Sequence, residues 1–135
     1  MWIFEVGEDG NCLFRAIAHQ AYGNEEQHKI VRQKCMEYIK VEKEYFSSFV
    51  EGGKEQIAEY IDDKCKDGVW GDHIEIQAMS EIYDRPIEIY AYSNKPMKIF
   101  HENDDQEEPF RLSYHGESHY NAITVGKFVN PYIDG

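Results

Sequence analysis

One cysteine in the chain stands where a polar turn gives way to an apolar helical segment. Residues 7–16 read GEDGNCLFRA, in which Asp, Gly and Asn favour a turn and Leu13 begins a helical spacing. Cys12 should therefore lie at a helix N-terminus, where backbone N–H groups have no partner inside the helix. Such a position lowers the pKa of a thiol and supplies donors for a developing oxyanion. We interpret Cys12 as a candidate nucleophile, with a small buried core residue as the alternative.

The other two cysteines, Cys35 and Cys65, lie inside helical patterns and are interpreted as small buried core residues. Three cysteines so widely spaced do not form a disulfide framework. We therefore expect free thiols in a reducing, intracellular compartment. The cytoplasm is the expected location, and the nucleus stays open as a second one.

A thiolate nucleophile needs a base, and six histidines are available. Four of them are better explained as surface, core or loop residues: His19, His28, His73 and His101. The remaining two, His115 and His119, flank a predicted turn between strands. Because residues two apart on a strand share a face, Asn121 can accept the imidazole N–H of His119 and orient the ring. The alternative is a histidine on an edge strand with a solvent-facing asparagine.

Charge and motif content exclude several other classes of function. The chain of 135 residues has 14 Lys and Arg against 26 Asp and Glu, a net charge of −12. Such acidity argues against a nucleic-acid backbone as partner, whereas a basic protein or peptide stays possible. The sequence contains no run of eighteen apolar residues, so it predicts no membrane span. Paired zinc ligands, an EF-hand and a phosphate loop are also missing from the sequence, so we expect no metal and no cofactor.

Hydrophobic periodicity predicts helices in the first half of the chain and strands in the second. Asp72 should cap the last helix, with Glu75 three residues after it. Helices followed by strands favour the α+β class over a repeating βαβ sheet. The predicted helices span residues 13–21, 25–40, 45–50, 56–64 and 73–82, and the predicted strands span residues 86–92, 97–100, 109–115 and 119–125.

Three blocks of the sequence resemble the ovarian tumour (OTU) family of cysteine deubiquitinases. They read DGNCLFRA at residues 9–16, WGDHIEIQA at residues 70–78 and HYNAI at residues 119–123. Their order and spacing fit the family from about residue 6 to residue 125. The pair Tyr45-Phe46 and the segment RPI at residues 85–87 are most similar to the branch that contains the deubiquitinase A (DUBA) type.

The resemblance implies a papain-type fold with helices packed on a small, mostly antiparallel sheet. It implies one catalytic domain over residues 1–135, with a core at 6–125 and a tail at 126–135. Cys12 would be the nucleophile, His119 the general base and Asn121 the residue that orients it. Asp9 matches the acidic residue of the cysteine motif and would cap the helix or hold the oxyanion loop.

The resemblance also implies substrate-facing loops around the nucleophile. Trp70 would line a narrow channel for the ubiquitin tail or, alternatively, anchor its own loop as a core aromatic. The arginine-bearing tail would suit an acidic cleft. The implied substrate-binding residues are Gly10, Asn11, Trp70, Gly71, Asp72, His115, Gly116, Glu117 and Ser118.

The expected activity is thiol-dependent hydrolysis of the isopeptide bond at the C-terminus of ubiquitin, by a monomeric enzyme. A catalytically weak ubiquitin-binding scaffold is the alternative of another class. A small acidic protein with a redox-reactive thiol is the third interpretation.

Overall fold

Helices occupy most of the first half of the chain and strands most of the second. The computed structural model describes residues 2–91, 96–101, 108–115 and 119–124. This arrangement confirms the predicted α+β class. The helices are α1 (Cys12–Tyr22), α2 (His28–Val41), α3 (Lys43–Ser47), α4 (Ile57–Lys64) and α5 (His73–Ile82). The strands are β1 (Trp2–Phe4), β2 (Ile87–Tyr90), β3 (Lys98–Phe100), β4 (Phe110–His115) and β5 (His119–Thr124).

The five strands form one sheet in the order β1-β5-β4-β2-β3. Three of the four pairings are antiparallel, and only β2 and β4 run parallel. The mostly antiparallel sheet agrees with the expected architecture. The prediction omitted β1, whose Trp2 pairs with Thr124 at the far end of the chain. A strand of three residues is too short for a period-two pattern to stand out.

Helix α1 places the start of its first turn against the sheet. It packs on β5 on one side and on α2 on another. Its buried face carries apolar side chains at helical spacing, which include Leu13, Phe14 and Ile17, all fully buried. Burial of this face fixes α1 relative to β5, and this contact brings Cys12 to the strand that carries His119.

The start of α5 confirms the predicted capping arrangement. The Asp72 carboxylate caps the first turn, and the Glu75 carboxylate accepts from the Asp72 backbone N–H at 2.8 Å. This reciprocal pair satisfies N–H groups that the helix itself leaves without partners. The cap fixes the end of the loop that contains Trp70 and Gly71.

No helix in the described part of the chain combines the length and the apolar character needed to cross a membrane. The predicted tail at 126–135 lies outside the described residues.

Candidate active site

The thiol of Cys12 lies between the first turn of α1 and the sheet. Cys12 is the first residue of α1 and only 1% of its surface is exposed. Its backbone N–H donates to the carbonyl of Asp9 at 3.2 Å, which closes the tight loop before the helix. The backbone N–H of Tyr120 donates to its Sγ at 3.5 Å. Cys12 therefore contacts the residue that directly follows His119 on β5.

The electrostatic environment of Cys12 differs from the expectation. Burial raises the pKa of the Cys12 thiol, and this effect exceeds the opposing one of the backbone N–H groups of Tyr120 and Leu13. The negative charge of Asp9 raises the pKa further. The N–H groups at the helix start lower the pKa as predicted, but desolvation, which the prediction did not include, outweighs them and makes the net direction upward.

His119 and Asn121 form the hydrogen bond that the two-residue spacing predicts. His119 Nε2 lies 2.8 Å from Asn121 Oδ1, and the Val6 backbone N–H donates to the same oxygen at 3.0 Å. Since an amide oxygen only accepts, Nε2 carries a proton in this bond. In a neutral ring the other nitrogen, Nδ1, is then an acceptor and can receive a proton.

The alternative interpretation of His119, a histidine on an edge strand, is wrong. Strand β5 lies between β1 and β4, so it is an internal strand of the sheet. Asn121 is 5% exposed and does not face solvent. The two donors on its oxygen fix the orientation of the amide and, through it, that of the imidazole ring.

Asp9 builds the loop that precedes Cys12. Its carboxylate accepts from the Asn11 backbone N–H at 3.0 Å and pairs with the Arg15 guanidinium, also at 3.0 Å. The hydrogen bond from Arg15 holds the pKa of Asp9 below its ordinary value. The carboxylate is thus ionised at neutral pH and engaged in the loop.

Gly10 and Asn11 pack against a second loop, which precedes Trp70. Asn11 is 4% exposed, and its Oδ1 accepts from the Gly68 backbone N–H at 2.9 Å. A Cβ at Gly10 would lie 1.5 Å from the carbonyl oxygen of Gly68. Only glycine therefore permits this approach of the two backbones.

Trp70 and Gly71 extend the second loop toward Cys12. The Trp70 ring stacks on Tyr120, with centroids 5.8 Å apart and an interplanar angle of 25°. Trp70 is half-buried, so its ring contacts the core and keeps an exposed part. A Cβ at Gly71 would lie 2.6 Å from a methyl group of Leu13, so glycine allows the loop to approach α1.

The remaining predicted substrate-binding residues have different surroundings. The Asp72 carboxylate is engaged in the α5 cap. His115 lies opposite His119 in the β4–β5 pair, and its Nε2 is 2.8 Å from Ser113 Oγ. Gly116, Glu117 and Ser118 lie outside the described residues.

The other cysteines have contrasting environments. Cys35 is fully buried, as predicted, and its thiol donates to the carbonyl of Glu75 at 3.6 Å. Cys65 follows α4 as its C-cap residue and is exposed, so its interpretation as a core residue is wrong. None of the three cysteines, all within the described part of the chain, forms a disulfide.

Sequence reasoning missed Arg32, a residue that contacts both loops. Arg32 lies on the buried face of α2 and is 4% exposed. Its Nη2 donates to Asn11 Oδ1 at 2.8 Å and to the Val69 carbonyl at 2.7 Å. A signal was present, because Arg32 occupies a position of the apolar stripe that also includes Val31, Cys35, Met36 and Ile39.

The arrangement can support acyl transfer through a thiol. It combines a thiol at a helix start, a histidine with a fixed tautomer and backbone N–H groups at the entrance of α1. Among the residues that the structure describes, no cluster of three or more His, Cys, Asp or Glu could hold a metal ion.

Two curated relatives align with nearly the whole chain. OTU domain-containing protein 5 of Rattus norvegicus is 45% identical over 130 residues, which are 96% of this chain and 22% of that protein. The OVARIAN TUMOR DOMAIN-containing deubiquitinating enzyme 6 of Arabidopsis thaliana is 47% identical over 117 residues, 86% of this chain and 23% of that protein. The chain thus spans less than a quarter of the length of these relatives.

The fold is also that of a solved structure, the OTU domain of OTUD1. It matches with a TM-score of 0.79 and 27% identity, over 90% of this chain and 83% of that one. The family model for OTU-like cysteine protease matches residues 7–121. Since this match extends from the loop before Cys12 to Asn121, the chain belongs to the family of OTU-like cysteine proteases.

Proposed function

We propose that this chain is a deubiquitinase that hydrolyses the isopeptide bond at the C-terminus of ubiquitin. Membership of the OTU-like cysteine protease family supports the reaction class. The 47% identity to an Arabidopsis thaliana protein named a deubiquitinating enzyme supports ubiquitin as the substrate. The contact of Cys12 Sγ with β5, the strand that carries the His119–Asn121 pair, is the observation that carries the proposal.

The proposed reaction assigns one step to each of these groups. His119 removes the thiol proton, and Cys12 Sγ attacks the carbonyl carbon of the terminal glycine of ubiquitin. Backbone N–H groups at the start of α1 stabilise the oxyanion. His119 then gives its proton to the leaving lysine amine. Water hydrolyses the thioester with His119 again as base, and the thiol returns.

Two further residues have supporting roles in this proposal. Asn121 holds His119 so that Nε2 keeps its proton and Nδ1 accepts the one from the thiol. Asp9 orders the loop whose N–H groups face the oxyanion, through the Asn11 N–H and Arg15. Its negative charge opposes formation of a thiolate, so Asp9 does not activate Cys12 directly.

We also infer that the chain lies in the DUBA-type branch and acts as an intracellular, cytoplasmic monomer. Identities of 43–45% over 96% of the chain to the OTU domain-containing protein 5 group support the branch. Three cysteines that form no disulfide suit a reducing compartment.

An electrophilic probe built on the ubiquitin C-terminus tests the proposal. We expect one covalent adduct in the wild-type chain and none in Cys12→Ala. Cys65→Ala is the matched control, because Cys65 is the exposed thiol and should react first if labelling is unspecific. An adduct that persists in Cys12→Ala contradicts the assignment.

A panel of diubiquitins then tests turnover. Cleavage of at least one linkage by the wild-type chain, abolished in Cys12→Ala, is the expected result. Ubiquitin binding without cleavage of any linkage would overturn the proposal and favour the scaffold interpretation.

A further inference from the structure

Arg32 is a buried cation whose hydrogen bonds reach two separate loops. It emerges from the core face of α2 and is 4% exposed. Its Nη1 donates to the Lys64 carbonyl at 2.8 Å, and its Nη2 donates to the Val69 carbonyl at 2.7 Å and to Asn11 Oδ1 at 2.8 Å. These acceptors are two carbonyls and an amide, so the bonds do not form a simple ion pair.

The loop before Cys12 and the loop before Trp70 meet at this guanidinium. Nη2 approaches the Gly10 carbonyl at 3.4 Å and so contacts the backbone of the first loop as well as Asn11. Asn11 Oδ1 simultaneously accepts from Gly68 N–H in the second loop. The planar group also stacks over the Phe14 ring at 4.2 Å, which fixes its plane.

The cost of burying a guanidinium indicates that these contacts serve a purpose. An apolar side chain would suit the α2 stripe, and replacing buried charges by apolar residues is often neutral or stabilising. A guanidinium alone among side chains offers several donors in one rigid plane, which allows it to bond both loops together.

We propose that Arg32 is a positioning residue that sets the two loops beside Cys12 at their catalytic separation. This proposal rests on the proposed thiol hydrolase function. Arg32 holds the Gly10–Asn11 backbone, which leads into the N–H groups at the start of α1. It also holds Val69, next to Trp70, whose ring stacks on Tyr120.

Loss of the guanidinium should lower kcat more than it changes KM. Misplacement of a site by about 1 Å costs about 10²-fold in rate, so we expect this loss in Arg32→Ala. Because the expected loss lies in the placement of groups beside Cys12, kcat should fall by a larger factor than KM rises. Arg32→Lys should fold and yet lose at least about tenfold in kcat, since an ammonium lacks the second nitrogen that bonds the Lys64 carbonyl and the planar face that lies over Phe14.

Chemical rescue separates positioning from a merely structural role. Arg32 lines a surface cavity of ≈ 690 Å³ between α2 and α4, and removal of its side chain gives solutes access to the vacated place. Millimolar guanidinium should raise the kcat of Arg32→Ala at least about tenfold. Sodium chloride or urea at the same concentration should not raise it. Arg111→Ala is the matched control, because Arg111 bonds to Glu88 and Glu108 and should not respond to guanidinium.

Alkylation of Cys12 by iodoacetamide gives a readout that needs no ubiquitin. In a Cys65→Ser background, Arg32→Ala should speed the alkylation of Cys12. Cys12 is only 1% exposed, and loosened loops would uncover its thiol. Added guanidinium should slow the alkylation again. If the wild-type chain does not react with ubiquitin probes while Arg32→Ala still shows this change in alkylation, the proposed function is refuted and the positioning role is not. Wild-type kcat in Arg32→Lys, or a loss in Arg32→Ala that guanidinium does not restore, would refute the positioning role.

Discussion

Gly10 lies at the narrowest approach between the two loops beside Cys12. A Cβ at this position would fall 1.5 Å from the Gly68 carbonyl oxygen, and real Cβ atoms essentially never show contacts under 3.0 Å. In Gly10→Ala the loops must therefore separate by at least about 1.5 Å, the difference between these distances. The obstacle is backbone, so no change of rotamer relieves it.

The hydrogen bonds between the loops set the size of the effect. Separation breaks the bond from Gly68 N–H to Asn11 Oδ1 and strains the one from Arg32 to the Val69 carbonyl. A neutral bond contributes about 0.5–1.5 kcal/mol and one to a charged group about 1.5–3 kcal/mol. With the first bond lost and the second weakened, the free energy of unfolding should fall by about 1–4 kcal/mol. A displacement above about 1 Å should also lower kcat by about 10²-fold.

Turnover of a fluorogenic ubiquitin substrate and urea unfolding measure the two effects. Gly23→Ala is the matched control, because no atom lies within 4 Å of a Cβ there, although its φ of +72° disfavours alanine. Its kcat should stay within about threefold of wild type while its stability falls by about 1–2 kcal/mol, which separates loss of stability from loss of activity. If Gly10→Ala keeps wild-type kcat and stability, the two loops do not constrain each other and the reasoning fails.

Two further predictions concern β5 and the thiol. Asn121→Ala removes the oxygen that accepts from both Val6 N–H and His119. We expect kcat to fall about 10²-fold and the free energy of unfolding to fall by about 1–3 kcal/mol. Asn121→Asp keeps both bonds and is the control, so equal losses in the two variants would contradict this account. Since burial raises the pKa of Cys12 above its ordinary value of 9.0, the iodoacetamide rate in Cys65→Ser should still climb as pH passes that value. The unfolded chain loses this proton first, so stability relative to Cys12→Ala should fall over the same rise in pH. An alkylation rate that levels off near neutral pH would show that burial does not control the thiol.

Local signals predicted the secondary structure of most of the chain. Apolar spacing placed α1, α2, α4 and α5, and the cap of α5 at Asp72 and Glu75 is present as expected. The third helix is shifted, because α3 spans Lys43–Ser47 where a helix over 45–50 was predicted. The period of two along a strand also predicted the hydrogen bond between His119 and Asn121. Each of these features depends on residues a few positions apart, so composition and spacing carry the information.

Features that depend on distant residues were missed or predicted wrongly. Strand β1 exists because it pairs with β5, and the pairing of Trp2 with Thr124 joins opposite ends of the described chain. Cys65, directly after α4, is exposed. Helical spacing does not specify which residues at the end of a helix are covered by other elements. The raised pKa of Cys12 likewise results from tertiary burial, whereas the sequence indicates only the helix start.

The candidate site combines these two levels, and Asn121 shows how. Its spacing from His119 is local, yet its orientation depends on Val6, which lies 115 positions away. Cys12 contacts Tyr120 across 108 positions, and Asn11 contacts Gly68 across 57. Residue types near Cys12 and His119 thus specify which chemistry is available, whereas β1, Arg32 and the second loop determine whether the reacting groups meet. Substitutions at these distant supports should therefore lower kcat even though none of them contacts the scissile bond.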